Sequence, residues 1–209
     1  MRKITFGLLM VVLVFMVGCA KPPEEAIKAV STAIEQATAA GAGDYAADSL
    51  KAAEDAKAQL DQELKAQEEK FALFRSYKKA EELAASAKAA GEKAAADAKA
   101  RKEQVKQEAT TLINDAKTAL AEAKDKLKKA PKGKGTAADL KQLESDLTSV
   151  ESSLTEAESA LTAERFLDAK AKAEAAKSTI GNVTSAIDQA IEAKSGKGKK
   201  APPAPAKKK

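Results

Sequence analysis

The sequence has no histidine and no tryptophan, and its single cysteine is Cys19. Aromatic residues make up only 3% of 209 residues, and there are 10 glycines and 6 prolines. Each shortage removes a class of function. Without histidine, the Ser-His-Asp and Cys-His catalytic arrangements are excluded, and so are zinc sites built from paired Cys and His ligands. A lone cysteine excludes an intrachain disulfide. What fills the space is 49 alanines, with 36 Lys+Arg against 31 Asp+Glu. Ala, Lys, Glu and Leu in this proportion, with few helix breakers, predict an all-α chain of long helices or coiled coil.

The N-terminus has the layout of an export signal. Arg2 and Lys3 precede an apolar run from Ile4 to Val17, which is shorter than the roughly 20 residues a spanning helix needs. The run ends in Met16-Val17-Gly18-Cys19-Ala20. This segment resembles a bacterial lipobox, with Met where Leu is more usual. The resemblance implies cleavage between Gly18 and Cys19, acylation of Cys19 with chains such as palmitate, and membrane lipid as a partner. Ala20 stands where an Asp would resemble an inner-membrane retention signal, so the expected location is the outer membrane, facing the periplasm. The alternative is an uncleaved signal anchor.

Loss of residues 1–18 would remove two of the positive charges that make up the net +5. The last sixteen residues, Lys194 to Lys209, hold seven lysines and no acid, so the body between is mildly acidic. The basic character belongs to the tail and not to a binding face.

The body reads as about five helices in an elongated antiparallel bundle. Lys21-Pro22-Pro23-Glu24-Glu25 opens the first, with acids at the positive end of the helix dipole. Gly41-Ala42-Gly43 ends it, and Asp44 is the expected cap of the second. The second carries Leu50, Ala53, Leu60, Leu64, Phe71 and Phe74 on a 3-4 ladder, with Lys57 and Gln67 as polar rungs. A turn is expected over Phe71–Ser76, with Ser76 as cap. The third helix runs from Tyr77 towards Lys129, about 80 Å at 1.5 Å per residue. Its stripe is Ala80, Ala84, Ala87, Ala94, Ala98, Val105, Ala109, Leu112, Ala116, Leu120, Ala123 and Leu127, interrupted by Gly91. Residues 130–136 are a Lys/Gly/Pro linker. The fourth helix carries Leu140, Leu143, Leu147, Val150, Leu154, Ala157 and Leu161. The fifth carries Phe166, Ala169, Ala173, Ala176, Ile180, Val183, Ile187 and Ala190. Strict 3-4 spacing makes a left-handed seam. Glu24–Lys28, Asp61–Lys65, Asp97–Arg101, Glu122–Lys126 and Asp168–Lys172 are expected i,i+4 pairs.

An internal repeat organises these helices. Ala46-Ala47-Asp48-Ser49-Leu50-Lys51 is matched by Ala137-Ala138-Asp139-Leu140-Lys141, and Tyr77-Lys78-Lys79-Ala80 by Phe166-Leu167-Asp168-Ala169. The domain reading is therefore a signal peptide at 1–18, a lipidated tether at 19–23, a first bundle at 24–104, a second at 105–193, and a disordered or polyproline-like tail at 194–209. The long third helix is shared by both bundles.

Asp44-Tyr45-Ala46-Ala47-Asp48-Ser49-Leu50 and Arg75-Ser76-Tyr77-Lys78-Lys79-Ala80 resemble the two blocks of the domain-of-unknown-function family numbered forty-three ninety-eight, found in Gram-negative lipoproteins. Ala47 replaces that family's Pro, and Arg75 its Gly. The resemblance covers residues 22 to about 95 and implies a helical fold and an envelope location, with no activity.

Candidate chemistry is sparse. Glu24-Glu25, Glu68-Glu69 and Glu81-Glu82 are adjacent carboxylates, but neighbours on a helix point about 100° apart and cannot share a substrate atom. Tyr45, Tyr77, Phe71, Phe74 and Phe166 are expected to plug bundle ends. Lys126, Lys128, Lys129, Lys132 and Lys134 cluster at a helix C-terminus, where they oppose the dipole or meet an anion such as a lipid head group or lipopolysaccharide phosphate. Lys199, Lys200, Lys207, Lys208 and Lys209 of the tail are candidate contacts for anionic polymers or peptidoglycan. The terminal Lys209 resembles the linkage residue of murein lipoproteins, without their Tyr-Arg context. No cofactor, metal or nucleic-acid partner is expected.

The expected function is a non-enzymatic, lipid-anchored helical scaffold, spacer or binding module. Two rivals stand beside it. Lys88 to Lys99 resembles late-embryogenesis-abundant repeats, which implies a stress-protective chain. The seams also suit a coiled-coil assembly module or a peptidoglycan-linked tether. If the second helix outran the first by roughly 18 Å, a tether from Cys19 to Pro22 reaching about 14 Å would force the molecule to lie on its membrane.

Overall fold

A computed structural model describes residues 21–130 and 137–194. These residues form six α-helices and one 3-10 turn, and no strand occurs among them. The helices are α1 (Glu24–Ala39), the single-turn α2 (Ala42–Tyr45), α3 (Ala47–Glu68), α4 (Lys78–Lys129), α5 (Ala137–Thr162) and α6 (Phe166–Lys194). The all-α bundle expected from composition is what forms. The chain divides into two compact units, one up to Lys102 and one from Glu103, with α4 contributing residues to each.

In the first unit, α1, α3 and the start of α4 alternate in direction. Val30, Leu60, Tyr77, Ala80, Ala84 and Ala87 form one buried cluster. Ala37, Ala42, Ala94 and Ala98 form another, with Leu50 against it. Low numbers of α1 thus meet high numbers of α3 and low numbers of α4. Gly41 ends α1 in the left-handed region, at φ 84°, where an L side chain is strained. The expected cap at Asp44 does not form: Asp44 lies inside α2, and Ala46 precedes α3 with no side-chain cap bond. Gly91 does not break α4. It is buried against α1, and a Cβ there would come within 2.9 Å of the Ala33 Cβ and 3.1 Å of its carbonyl carbon. The glycine lets the two helices approach closely.

The second unit is built from larger side chains. Leu147, Val150, Leu154, Ile180, Val183 and Ile187 are buried with Ala116 and Leu120 of α4. Ile113 takes the buried position expected of Leu112, which is half-buried, because a 3.6-residue turn drifts off a strict 3-4 count. Ion pairs record the register. Lys170–Glu108, Lys177–Asp115 and Lys126–Asp188 all join residues 62 apart, so α4 and α6 run parallel. Lys117–Glu158 and Lys124–Glu151 step in opposite senses, so α5 is antiparallel to α4. Two of the expected intrahelical partners are therefore engaged across helices instead: Lys126 with Asp188, and Lys172 with Glu156 at 2.8 Å.

The turn from α5 to α6 has no glycine. Glu164 adopts φ 58°, its N–H donates to the Leu161 carbonyl, and the Arg165 N–H donates to the Ala160 carbonyl at 2.9 Å. That is a Schellman ending with a non-glycine left-handed residue. The repeated sequence blocks occupy equivalent places: Ala47 and Ala137 open α3 and α5, while the buried aromatics Tyr77 and Phe166 stand at the starts of α4 and α6.

Candidate functional site

The residues on which the sequence reading leans most lie outside the described residues: Gly18, Cys19, Lys132, Lys134, Lys199, Lys200, Lys207, Lys208 and Lys209. The adjacent carboxylates Glu24-Glu25, Glu68-Glu69 and Glu81-Glu82 are all solvent-exposed. Lys126 and Lys128 of the basic cluster face carboxylates, Asp188 and Asp125. Among the described residues no group of three or more His, Cys, Asp or Glu could hold a metal ion, and no helix is long and apolar enough to cross a membrane.

Two features of the surface depart from a plain charged helix face. The first is a cleft of about 470 Å³ between α4 and α5, with Leu127, Leu140 and Leu147 on its floor and Lys124, Lys128 and Lys141 at its rim.

The second is the connection between α3 and α4. The turn expected over Phe71–Ser76 forms, but α3 already ends at Glu68, so Phe71 and Phe74 leave the ladder that was expected to bury them. Phe71 is 69% exposed, Leu73 62% and Phe74 76%. These two phenylalanines do not plug a bundle end. Of the other aromatics expected to do so, Tyr77 and Phe166 are buried, and Tyr45 packs part-buried against the second cluster of its unit. The Phe71 and Phe74 rings lie 6.4 Å apart at 51°.

The backbone beneath them is tightly held. Residues Ala72–Phe74 form a 3-10 turn, with the Phe74 N–H donating to the Phe71 carbonyl at 2.8 Å. The Arg75 guanidinium folds back on the end of α3, donating to the Glu68 carbonyl at 2.8 Å and to the Lys70 carbonyl at 3.0 Å. A cation at this position satisfies orphan carbonyls and opposes the negative end of the helix dipole. The Ser76 N–H donates to the Gln67 side-chain oxygen at 3.0 Å, and α4 begins at Lys78, one residue later than expected.

Gln67, read from sequence as a polar rung, is the one buried polar residue of the described core. Its amide donates to Glu63 at 2.7 Å, and Lys79 reaches the other Glu63 oxygen at 2.7 Å. The Lys79 hydrogen bond chiefly, and then that from Gln67, holds the Glu63 carboxyl below the ordinary carboxylate range. Asp97 is lowered in the same way, first by Lys93 and then by Ser49, whose hydroxyl donates to it at 2.6 Å from α3.

Register places this turn relative to the start of the chain's folded part. Gly91 lies beside Ala33 in parallel helices, so the first residue of α1, Glu24, is level with Glu82. Lys78 is four residues further along, or about 6 Å, and the 69–77 turn lies at that same end. The overshoot of roughly 18 Å expected from sequence is therefore replaced by about 6 Å. The reason is that α3 has 22 residues rather than about 30.

No protein-family model, no curated protein and no solved structure matches this chain.

Proposed function

We propose that this protein is a non-enzymatic lipoprotein of the bacterial cell envelope, anchored through acyl chains on Cys19 in the outer membrane and presenting a helical scaffold or spacer to the periplasm. The observation that carries the reading is the lone cysteine in Met16-Val17-Gly18-Cys19-Ala20, at the end of the apolar run and five residues before α1 begins at Glu24. More than one acyl chain gives lasting attachment, each buried CH₂ contributing about 0.8 kcal/mol. The packed Leu147, Leu154 and Ile187 favour a folded scaffold over a stress-protective chain that lacks a core. An assembly role through a helical partner is the second reading, favoured by the leucine-floored cleft between α4 and α5.

The test is Cys19→Ser expressed in a Gram-negative host. Wild-type protein should carry acyl mass on Cys19, lack residues 1–18 and stay with membranes after high-salt washing, and the variant should carry no acyl mass and keep residues 1–18. Wild-type protein that kept residues 1–18 and carried no acyl mass would replace the lipoprotein anchor with an uncleaved signal anchor.

A further inference from the structure

We infer that the Phe71–Phe74 turn is a second membrane contact, laying Phe71, Leu73 and Phe74 into the head-group region of the bilayer that holds the acylated Cys19. The inference rests on the lipid-anchor reading. Three observations carry it.

The first is the exposure itself. Three large apolar side chains stand 62–76% exposed within four residues, whereas among the described residues only one other large apolar side chain, Leu167, is exposed, at 44%. Their exposure is imposed by the backbone. Arg75 is committed to the Glu68 and Lys70 carbonyls, and Gln67 holds the Ser76 N–H, so the turn is fixed with its apolar side chains outward.

The second is placement. Cys19 is joined to Pro22 by a tether of at most about 14 Å. The turn is at the end of the first unit where α1 begins, and it projects beyond Glu24 by at least about 6 Å. The tether's reach exceeds the roughly 6 Å by which Lys78 passes Glu24, so the anchor and the end of the unit that carries the turn can meet one bilayer surface without the first unit lying flat.

The third is charge. Around the aromatic triplet stand Lys70, Arg75 and Lys78, with Lys79 paired to Glu63, against Glu68 and Glu69. Aromatic rings flanked by basic residues suit the interface, where rings sit at head-group depth and cations meet anionic lipid. The two glutamates and the backbone-bound Arg75 keep the contact shallow.

Because the chain has no Trp, Phe74→Trp places a single tryptophan in the turn, excited selectively at ~295 nm apart from Tyr45 and Tyr77, and Gly43→Trp places one at the other end of the same unit. Both variants would be purified as the lipidated full chain and reconstituted in vesicles of phosphatidylethanolamine and phosphatidylglycerol, with and without bromine on the upper acyl carbons. The expected result is blue-shifted emission at Phe74→Trp and several-fold stronger quenching than at Gly43→Trp. Acylated, vesicle-bound protein whose Phe74→Trp emission stays aqueous and unquenched overturns the turn inference and leaves the lipid anchor standing. Protein without acyl mass on Cys19 overturns the anchor, and the inference falls with it. A concentration-dependent blue shift in the unlipidated Cys19→Ser, Phe74→Trp chain lacking residues 1–18, in buffer, assigns the turn to self-association and also overturns it.

Discussion

The two units solve the same packing problem with different side chains. Both bring three helices together in alternating directions, and both open their returning helix with a buried aromatic, Tyr77 or Phe166. The first relies on smallness: Ala33, Ala37, Ala42, Ala94 and Ala98 are buried, and Gly91 sits against the backbone of α1. The second relies on bulk, with Leu147, Leu154, Ile180, Val183 and Ile187 between its helices and ion pairs along its edges. Apolar area sets the main stabilisation, at about 25 cal/mol per Å², and alanine brings little area to a core. Small-residue packing therefore depends on close approach. Bulk packing depends on filled volume, and each should fail in its own way.

The largest effect is expected from volume loss in the second unit. Leu147 is 1% exposed at the centre of its cluster. Leu147→Ala should cost about 2–5 kcal/mol, read as a fall in the urea midpoint followed by circular dichroism. Lys141→Ala, on an exposed position of the same helix, should stay within about 0.5 kcal/mol. Equal effects from the two would remove α5 from the core.

A smaller effect is expected from acid. Glu63 and Asp97 in the first unit, and Glu156 beside Lys172 in the second, are all held below the ordinary carboxylate range by hydrogen bonds from lysines. A lowered carboxyl adds stability that is present above its unfolded pKa and is lost as pH falls through its folded pKa. The urea midpoint should thus decline as pH drops below about 4. Lys79→Met, which removes the main cause at Glu63, should make that decline shallower. An unchanged acid profile in Lys79→Met would sever the link between α3 and α4 that Glu63 is assigned.

Most helix faces were legible in the sequence because apolar spacing reports burial directly. Every alanine of the expected α4 stripe is buried, and so are Val105 and Leu120. What escaped was set by contacts that spacing does not encode. The 3-4 ladder runs on through Phe71 and Phe74, and nothing in that arithmetic says that α3 stops at Glu68. The stop depends on Arg75 returning to the α3 carbonyls and on Gln67 turning inward to Ser76. The Glu164 turn carries no Gly or Pro, yet its place was legible, because one ladder ends at Leu161 and the next opens at Phe166; only its left-handed residue was not. Asp44 had the chemistry of a cap, but the chain takes an extra helical turn at Ala42–Tyr45 first. The anchor at Cys19 and the lysines of the tail are sequence readings throughout.

Gly91 is where the sequence offered a cost of roughly 1 kcal/mol and no reason for it; the neighbouring backbone of Ala33 supplies the reason. Two matched substitutions therefore test the contrast between close approach and filled volume most directly. Gly91→Ala gains about 1 kcal/mol of helix propensity but drives a methyl into the Ala33 backbone, where overpacking costs about 1–3 kcal/mol. Gly181→Ala in α6 gains the same propensity at an exposed position with nothing within 4 Å of the added methyl. Urea midpoints of the full chain should fall for Gly91→Ala and rise for Gly181→Ala. Equal rises in both would mean that α1 and α4 are not in close contact, and would contradict the account of the first unit.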